Sequence, residues 1–294
     1  MTSAAKLLPG IPLVESPLFS RLLAEGAFGR WSAVAEALHR DGLAVVDLGV
    51  DHVAARAEAI VRALTPRFEL DLWRTGVHVP HLRVQDAWRE VPEVRSLALD
   101  AELLDALATL YGRAPFAFQT LHFAVGSEQQ VHSDAVHFQS DPANFMCGVW
   151  VPLEDVHDDA GPLVYYPGSH KLPVLQPSDV GHAGGKDVKH EQWIFHDAWD
   201  AMVAAGGFER RTITPRLGQA LIWSANLIHG GSKVNDRSRS RWSQVTHCFF
   251  DECVYYTPLH SEWPRGHVAW REPLDLATGK LRRRPHVRRF ARFW

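Results

Sequence analysis

The chain has 294 residues, of which 46% are hydrophobic and 22% charged, and its formal net charge is −3. This balance excludes a disordered or fibrous protein and allows one sizeable hydrophobic core. No apolar run reaches the roughly 20 residues of a membrane-spanning helix, and the N-terminus lacks the pattern of a secretory signal. The sequence therefore predicts a cytoplasmic protein with no membrane partner.

Cysteine and histidine usage bear on redox state and on metal binding. The three cysteines, Cys147, Cys248 and Cys253, are too few for a disulfide framework, and we predict that they are reduced residues in or near the core. Seventeen histidines are many for one chain. Because histidine is the commonest metal ligand, this count favours a metal site without locating it.

The elements follow one another in two groups. Apolar residues spaced by three and four predict helices in PLFSRLLAEGAF, WSAVAEALHR and AELLDALATLYG, with a buried strand, GLAVVDLGV, between the second and third. From Pro115 onward the runs are short and β-rich: FAFQTLHFAV, NFMCGVWVPLE, PLVYYP, FERRTITP, QALIWSA and RWSQVTHCFF. Such runs, separated by Gly, Pro, Asp and Ser, predict a β-sandwich or barrel.

The order of these groups predicts one domain over residues 1–294. Residues 1–112 form a mostly helical buttress with one or more strands, residues 113–256 form the β core, and residues 257–294 are an extension. The Gly-rich segment 178–189 is expected to be a surface loop near the site.

A basic tail ends the chain: KLRRRPHVRRFARFW, residues 280–294. Such a tail can bind nucleic acid or an anionic surface. Apolar side chains are interleaved with its charges, at Val287, Phe290, Phe293 and Trp294. This interleaving favours docking on the acidic body of the protein over binding to nucleic acid.

The motif His-x-Asp/Glu carries the metal hypothesis, because residues two apart on a strand project to the same face. It occurs at His39/Asp41, His132/Asp134, His157/Asp159 and His260/Glu262. The first and third lie in turns, where such residues are ordinary. The fourth has little predicted β structure after it to supply another ligand. The second lies between two β-rich runs and is the favoured pair.

A third ligand for this pair is His229, which follows the strand QALIWSANL in a turn of small residues, His229 to Ser232. Two histidines and one carboxylate are the facial ligand set of non-haem Fe(II) oxygenases, which leaves open positions for oxygen and a cosubstrate. The competing set replaces His229 by His137 and suits a closed zinc site.

Three arginines, Arg237, Arg239 and Arg241, precede the last predicted strand of the core. Strand alternation places Arg241 on the same face as Ser243, Val245 and His247. A buried arginine needs an anion, and the distal carboxylate of 2-oxoglutarate is the candidate. Arg239 stays the alternative if both side chains point inward.

Ordered motifs over about residues 115–250 give the chain a family resemblance. They are FQTL with Gly126 and Gln129 before HSD at 132–134, then GVWVPLED at 148–155, GPL at 161–163, PGSH at 167–170, and IW at 222–223 before LIHGGS at 227–232. With these motifs the chain resembles the phytanoyl-CoA dioxygenase family of Fe(II)/2-oxoglutarate-dependent oxygenases. No single motif is specific, but their order is.

The resemblance implies a mainly β fold with flanking helices: a cupin-like double-stranded β-helix, or jelly-roll, buttressed by the N-terminal helices. It implies Fe(II), 2-oxoglutarate and O₂ as cofactor and cosubstrates, with His132, Asp134 and His229 as iron ligands. Arg241 matches the arginine that binds 2-oxoglutarate; Gln119, Trp150 and Ser243 are further residues expected in the cosubstrate pocket.

The resemblance also implies oxidation of a C–H bond of a small organic substrate, with release of succinate and CO₂. Asp134 favours hydroxylation, since related halogenases have a small residue there. We expect the substrate side to include His137, Gln139, Tyr165, His170, Trp223 and Asn226. The alternatives are a zinc hydrolase or cupin-like isomerase, and a non-catalytic jelly-roll binding protein.

Overall fold

A computed structural model of the chain describes residues 2–77, 79, 82–183, 191–262 and 266–283. Most of the predicted basic tail, from residue 284 onward, lies outside the described residues. So do residues 184–189 of the predicted surface loop.

The described residues form helices and short 3-10 turns in the N-terminal third and mostly strands after that. The helices are α1 (Phe19–Ala24), α2 (Ser32–Asp41), α3 (Val50–Leu64), α4 (Leu70–Arg74), α5 (Pro92–Ala98), α6 (Ala101–Tyr111) and α7 (His196–Ala205). The strands are β1 (Leu43–Asp47), β2 (Arg83–Gln85), β3 (Pro115–Phe123), β4 (Gln139–Asp141), β5 (Met146–Pro152), β6 (Leu163–Tyr165), β7 (Arg211–Ile213), β8 (Gln219–Ser224), β9 (His229–Gly231), β10 (Ser243–Phe250), β11 (Val254–Tyr256), β12 (Trp270–Arg271), β13 (Leu274–Asp275) and β14 (Lys280–Leu281).

Antiparallel sheets build the core. The major sheet has the strand order β1-β8-β5-β10-β3-β2, so that β1 from the helical third joins strands from the second half of the chain. A smaller sheet, β7-β6-β9, carries the segment that contains His229. A further sheet has the order β12-β11-β4. This jelly-roll core with flanking helices confirms the predicted fold class.

The two faces of the major sheet bury different neighbours, because side chains alternate along each strand. In β5, Cys147, Val149 and Val151 belong to the hydrophobic core that the N-terminal helices share. Trp150 points the other way and packs with Leu163 and other residues between the sheets. The helices therefore cover one face, and the opposite face is left to form a site with the smaller sheet.

The predicted helices and strands are all present. The segment after Leu227 was predicted to be a turn but forms β9, because it pairs with β6. Further elements match none of the predicted runs: helices α3, α4, α5 and α7, and the short strands β2, β4 and β11–β14. The three cysteines are free, as predicted, with Cys147 and Cys248 buried and Cys253 partly buried. None of the helices in the described ranges has the length and apolar character of a membrane span.

Candidate metal centre

Two histidines face each other across a pair of backbone hydrogen bonds. The N–H of His132 donates to the carbonyl of His229 at 2.8 Å, and the N–H of His229 donates back at 3.0 Å. Asp134 begins a 3-10 turn two residues after His132. One ligand atom from each of these three side chains lies within 4.8 Å of the others, and all three residues are buried. They can hold one metal ion.

Backbone carbonyls orient both imidazoles. Nδ1 of His132 lies 2.9 Å from the carbonyl of Gln130, and Nδ1 of His229 lies 2.9 Å from that of Leu227. A carbonyl only accepts hydrogen bonds, so each Nδ1 carries the proton. In the neutral imidazole Nε2 then carries the lone pair that binds a metal, which is the usual arrangement around histidine ligands. The side-chain amide of Gln129 lies 3.4 Å from Nε2 of His132.

The carboxylate of Asp134 is held by an indole. Nε1 of Trp223 donates to Oδ2 of Asp134 at 2.9 Å, and both groups are buried. The other oxygen, Oδ1, lies 3.7 Å from Nε2 of His132. Because the indole binds Oδ2, Oδ1 can bind a metal ion together with the two imidazoles.

The charges in the cluster suit a cation. Burial, and next the nearby His229, lower the pKa of His132 to about 3, so that its imidazole is neutral at physiological pH. Burial acts to raise the pKa of Asp134, but the adjacent His229, His247 and His132 outweigh it and hold that pKa below its usual range. The cluster thus presents an ionised carboxylate and a neutral imidazole, which are the ligand forms that metals require.

We expect Trp223→Phe to lower the affinity for a divalent metal about 10- to 100-fold, because loss of a group that orients a ligand has effects of this size. Equilibrium titration of the apoprotein with Co(II) measures the change. Trp193→Phe is the matched control, since Trp193 is 62% exposed. Equal affinities of the wild type and Trp223→Phe would show that the indole does not position the carboxylate.

The other candidate metal sets are not brought together. Nε2 of His137 bonds to Oε1 of Gln192 at 2.8 Å, and within the described ranges His137 belongs to no cluster of potential metal ligands. His39 bonds to the carbonyl of Val14 and stacks on a phenylalanine. His157 is on the exposed surface. The sequence alternative with His137 as a ligand is therefore not supported.

Arg241 lies in the same cavity and has no acidic partner in the part of the chain that the structure describes. Its residue exposure is 4%, and Nη1 donates to the carbonyl of Gly161 at 2.7 Å. Among the described residues, Nε has no hydrogen-bond partner. Burial lowers the pKa of Arg241 to about 10. Of the three neighbouring arginines it alone lines the cavity: Arg239 pairs with Asp236 on the surface, and Arg237 donates to the carbonyl of Trp73.

A cavity of about 270 Å³ opens over the cluster. Its wall includes the three candidate ligands, Arg241 and four more of the predicted site residues. These four are Gln119, Trp150, His137 and Trp223. The cavity has a mainly hydrophobic side formed by Leu121, Phe123, Phe138, Leu163 and Val245.

Five predicted site residues lie outside this cavity wall. Asn226 donates to the carbonyls of His170 and Leu172, and His170 packs against Gly42. Gln139 bonds to Asn144, and Tyr165 packs between the sheets. These four therefore have structural partners and do not line the predicted substrate side. Ser243 is fully buried beside the wall, and its hydroxyl has no partner among the described residues.

The structure also brings residues to the cavity that the sequence did not single out as site residues. Nδ1 of His247 donates to Oε1 of Gln119 at 2.9 Å, and Nε2 of His247 lies 3.7 Å from Oδ2 of Asp134. Strand alternation from Arg241 had placed it on this face. Arg83 and Gln192 come from distant segments, and no sequence signal links them to the motif.

Facing antiparallel sheets with two histidines and one aspartate between them define the class of double-stranded β-helix metalloproteins. Residues 38–241 match the model of the family described as phytanoyl-CoA dioxygenase, which covers more than two thirds of the chain. The chain therefore belongs to the phytanoyl-CoA dioxygenase family, as its motifs predicted. No curated protein sequence matches it.

Solved structures share this fold. The non-haem alpha-ketoglutarate-dependent carbocyclase SnoK from nogalamycin biosynthesis is 18% identical, with a TM-score of 0.59 over 76% of this chain and 85% of that chain. EctD from S. alaskensis, with 2-oxoglutarate and 5-hydroxyectoine, is 19% identical, with a TM-score of 0.57 over 81% and 82%. The epimerase SnoN, in complex with Fe³⁺, alpha-ketoglutarate and nogalamycin RO, is 21% identical, with a TM-score of 0.55 over 77% and 86%.

Proposed function

We propose that the chain is a non-haem Fe(II), 2-oxoglutarate-dependent oxygenase that hydroxylates or otherwise oxidises a C–H bond of a small organic substrate. His132, Asp134 and His229 would hold the iron, and Arg241 would bind the distal carboxylate of 2-oxoglutarate. Membership of the family supports the cofactor and the cosubstrate. The neighbouring folds include an epimerase and a carbocyclase, so the type of oxidation rests on the residues of this chain.

The observation that carries the proposal is the uncompensated charge of Arg241. Burial of a guanidinium without an acidic partner costs free energy unless a bound anion neutralises its charge. Its planar group suits a carboxylate. It shares a cavity with a ligand set whose two imidazoles and one carboxylate fit Fe(II).

The residues of the chain position and shield the reaction. The carbonyls of Gln130 and Leu227 keep each Nε2 pointed at the metal, and Trp223 fixes the carboxylate. Trp150 lies with its ring centroid 5.4 Å from the guanidinium of Arg241, which limits access of water to that charge. When bound, iron and 2-oxoglutarate together supply the activation of O₂, with succinate and CO₂ as products.

Asp134 limits the type of reaction, and the size of the cavity limits the size of the substrate. An aspartate at this position occupies the place where a halogenase needs room for a halide, which favours hydroxylation. The cavity of about 270 Å³ lies just below the range of roughly 300–1,000 Å³ for ligand pockets. Since 2-oxoglutarate takes part of this space, the substrate is small or extends out through the mouth.

The test is the visible charge-transfer band that Fe(II) gives when a 2-oxo acid chelates it. We expect anaerobic protein with Fe(II) and 2-oxoglutarate to show the band, and His229→Ala to lose it. His157→Ala is the matched control, because His157 belongs to an exposed His-x-Asp pair. Absence of the band, with zinc bound tightly instead, would favour the hydrolase. A band without succinate release from any substrate would favour the binding protein.

A further inference from the structure

Charged groups in the cavity wall are few and mostly positive. Asp134 is the one carboxylate among the described lining residues, and it belongs to the metal cluster. Two arginines line the same cavity, Arg241 at its buried side and Arg83 at its exposed side. The described wall therefore offers no carboxylate that could pair with a cationic substrate.

Arg83 has a fixed backbone and an unpaired side chain. It lies on β2, the edge strand of the major sheet, opposite Phe123 of β3. Within the described part of the chain its guanidinium has no hydrogen bond and no ion pair. Arginines on nearby elements are paired, Arg67 with Glu90 and Arg74 with Asp71. An arginine that lines a cavity and lacks a partner can bind an anion that enters it.

The charge balance of the site with Fe(II) and 2-oxoglutarate bound also favours an anionic ligand for Arg83. The two positive charges of Fe(II) and the one of Arg241 balance the carboxylate of Asp134 and the two carboxylates of 2-oxoglutarate. Arg83 then adds one positive charge that nothing in the described wall neutralises. A neutral or cationic substrate would leave this charge uncompensated.

Neutral donors lie on the same side. Gln85 is two residues after Arg83 and shares its face of β2, and both line the cavity. Gln119, on the adjacent strand β3, uses Oε1 in its bond with His247, which leaves its amide N–H groups as donors. Arg83, Gln85 and Gln119 thus follow one another along this part of the sheet, from the residue opposite Phe123 toward His247. Arg83 with Gln85 next to it offers donors for the oxygens of a carboxylate or a phosphate ester.

We propose that the primary substrate carries an anionic group, a carboxylate or a phosphate ester, which Arg83 binds at the mouth of the cavity, with Gln85 next to it on β2 and Gln119 further along β3 toward the metal cluster. The anion is held at the exposed side, so the rest of the substrate extends inward along the apolar wall toward the metal cluster. This inference rests on the proposed function, since it assigns Arg241 to the cosubstrate and Arg83 to the substrate.

The experiment measures binding, not turnover. Anaerobic protein saturated with Fe(II) and 2-oxoglutarate is titrated calorimetrically with small carboxylic acids, with phosphate monoesters, and with the amides and alcohols of the same carbon skeletons. The variants are Arg83→Gln and Arg83→Lys, with Arg62→Gln as the control, because Arg62 lies on α3 with its side chain 73% exposed. The charge-transfer band is recorded before and after each titration.

We expect at least one anionic probe to bind about ten-fold or more tightly than its neutral counterpart, since hydrogen bonds to charged groups are the stronger ones. Arg83→Gln should remove this preference, Arg83→Lys should keep part of it, and Arg62→Gln should leave it unchanged. Which probe series shows the preference distinguishes a carboxylate from a phosphate ester.

A wild type that shows no preference for anions, or a preference that survives in Arg83→Gln, would overturn the inference. So would an anionic probe that binds only by displacing 2-oxoglutarate, which loss of the band reveals. If the band forms but the preference is absent, this inference fails alone. If the band never forms, the proposed function fails, and the comparison of wild type with Arg83→Gln on metal-loaded protein still decides the role of Arg83.

Discussion

Replacement of Arg241 by methionine is expected to weaken binding of 2-oxoglutarate about 100-fold or more while leaving the apoprotein at least as stable. The loss of affinity follows from the burial of Arg241, because truncation of one partner of a buried charge pair costs roughly 2–5 kcal/mol. Methionine keeps most of the volume and the apolar contacts, so the packing around Trp150 is retained.

The expected effect on stability has the opposite sign. Burial in the folded protein lowers the pKa of Arg241 from its usual value to about 10. A basic group whose folded pKa is lowered disfavours folding at every pH below that pKa, and this penalty disappears as pH rises from the folded to the unfolded pKa. At neutral pH the penalty is on the order of 3 kcal/mol. Arg241→Met removes it, whereas a structural arginine would leave a destabilised protein on removal.

Two measurements check this pair of effects. Calorimetric titration of the Fe(II)-loaded protein under anaerobic conditions gives the dissociation constant of 2-oxoglutarate, and thermal unfolding of the apoprotein gives the stability. Arg239→Gln is the control, since Arg239 lies two residues away but is exposed and paired with Asp236. Unchanged affinity in Arg241→Met would remove the main support for the proposed function.

Sequence patterns identified the three candidate ligands, although the two from the His-x-Asp motif do not share a strand as predicted. His132 forms an isolated β-bridge with His229 and Asp134 begins a 3-10 turn, so the turn and not strand alternation brings the carboxylate to the cluster. His229 follows the predicted strand that became β8. The choice among four His-x-Asp/Glu pairs was possible because turns and chain order leave only one pair between β-rich runs. The structure brings these three residues together.

Proximity in sequence to the metal motif was a poor guide to which other residues line the cavity. Asn226 and Gln139 lie close to the motif residues along the chain, yet backbone groups nearby satisfy their side chains. Gln139 bonds to N–H groups of its own turn, whereas Asn226 bonds to carbonyls more than 50 residues away, at His170 and Leu172. No periodic pattern shows either arrangement in advance. Arg83 and Gln192 reach the cavity by tertiary packing alone, so residues far from the motif had no signal.

Gly148 shows how a motif residue can act through packing. It belongs to the GVWVPLED motif and lies opposite Trp223 in the pairing of β5 with β8. A Cβ added at Gly148 would lie 2.2 Å from Cε2 of the Trp223 indole and 2.6 Å from its Nε1. Glycine is therefore required here for space, so that the indole can reach the carboxylate of Asp134.

We expect Gly148→Ala to push the indole out of its position. Metal affinity should then fall about 10- to 100-fold, as expected for Trp223→Phe. It should also destabilise the protein by about 1–3 kcal/mol, the usual cost of an overpacked core. Trp223→Phe lacks the Nε1 group and relieves part of the contact. The double variant should therefore regain stability but not metal affinity, and the two effects on affinity should not add.

Co(II) titration and chemical denaturation of the wild type, the two single variants and the double variant give the full cycle. Val149→Ala is the control for a small change on the same strand, because Val149 faces the helices and not the metal cluster. If Gly148→Ala lowered stability while metal affinity stayed at the wild-type value, the indole would be a packing residue with no part in holding Asp134. If the two affinity losses added in full, each residue would act on the metal cluster by a separate route.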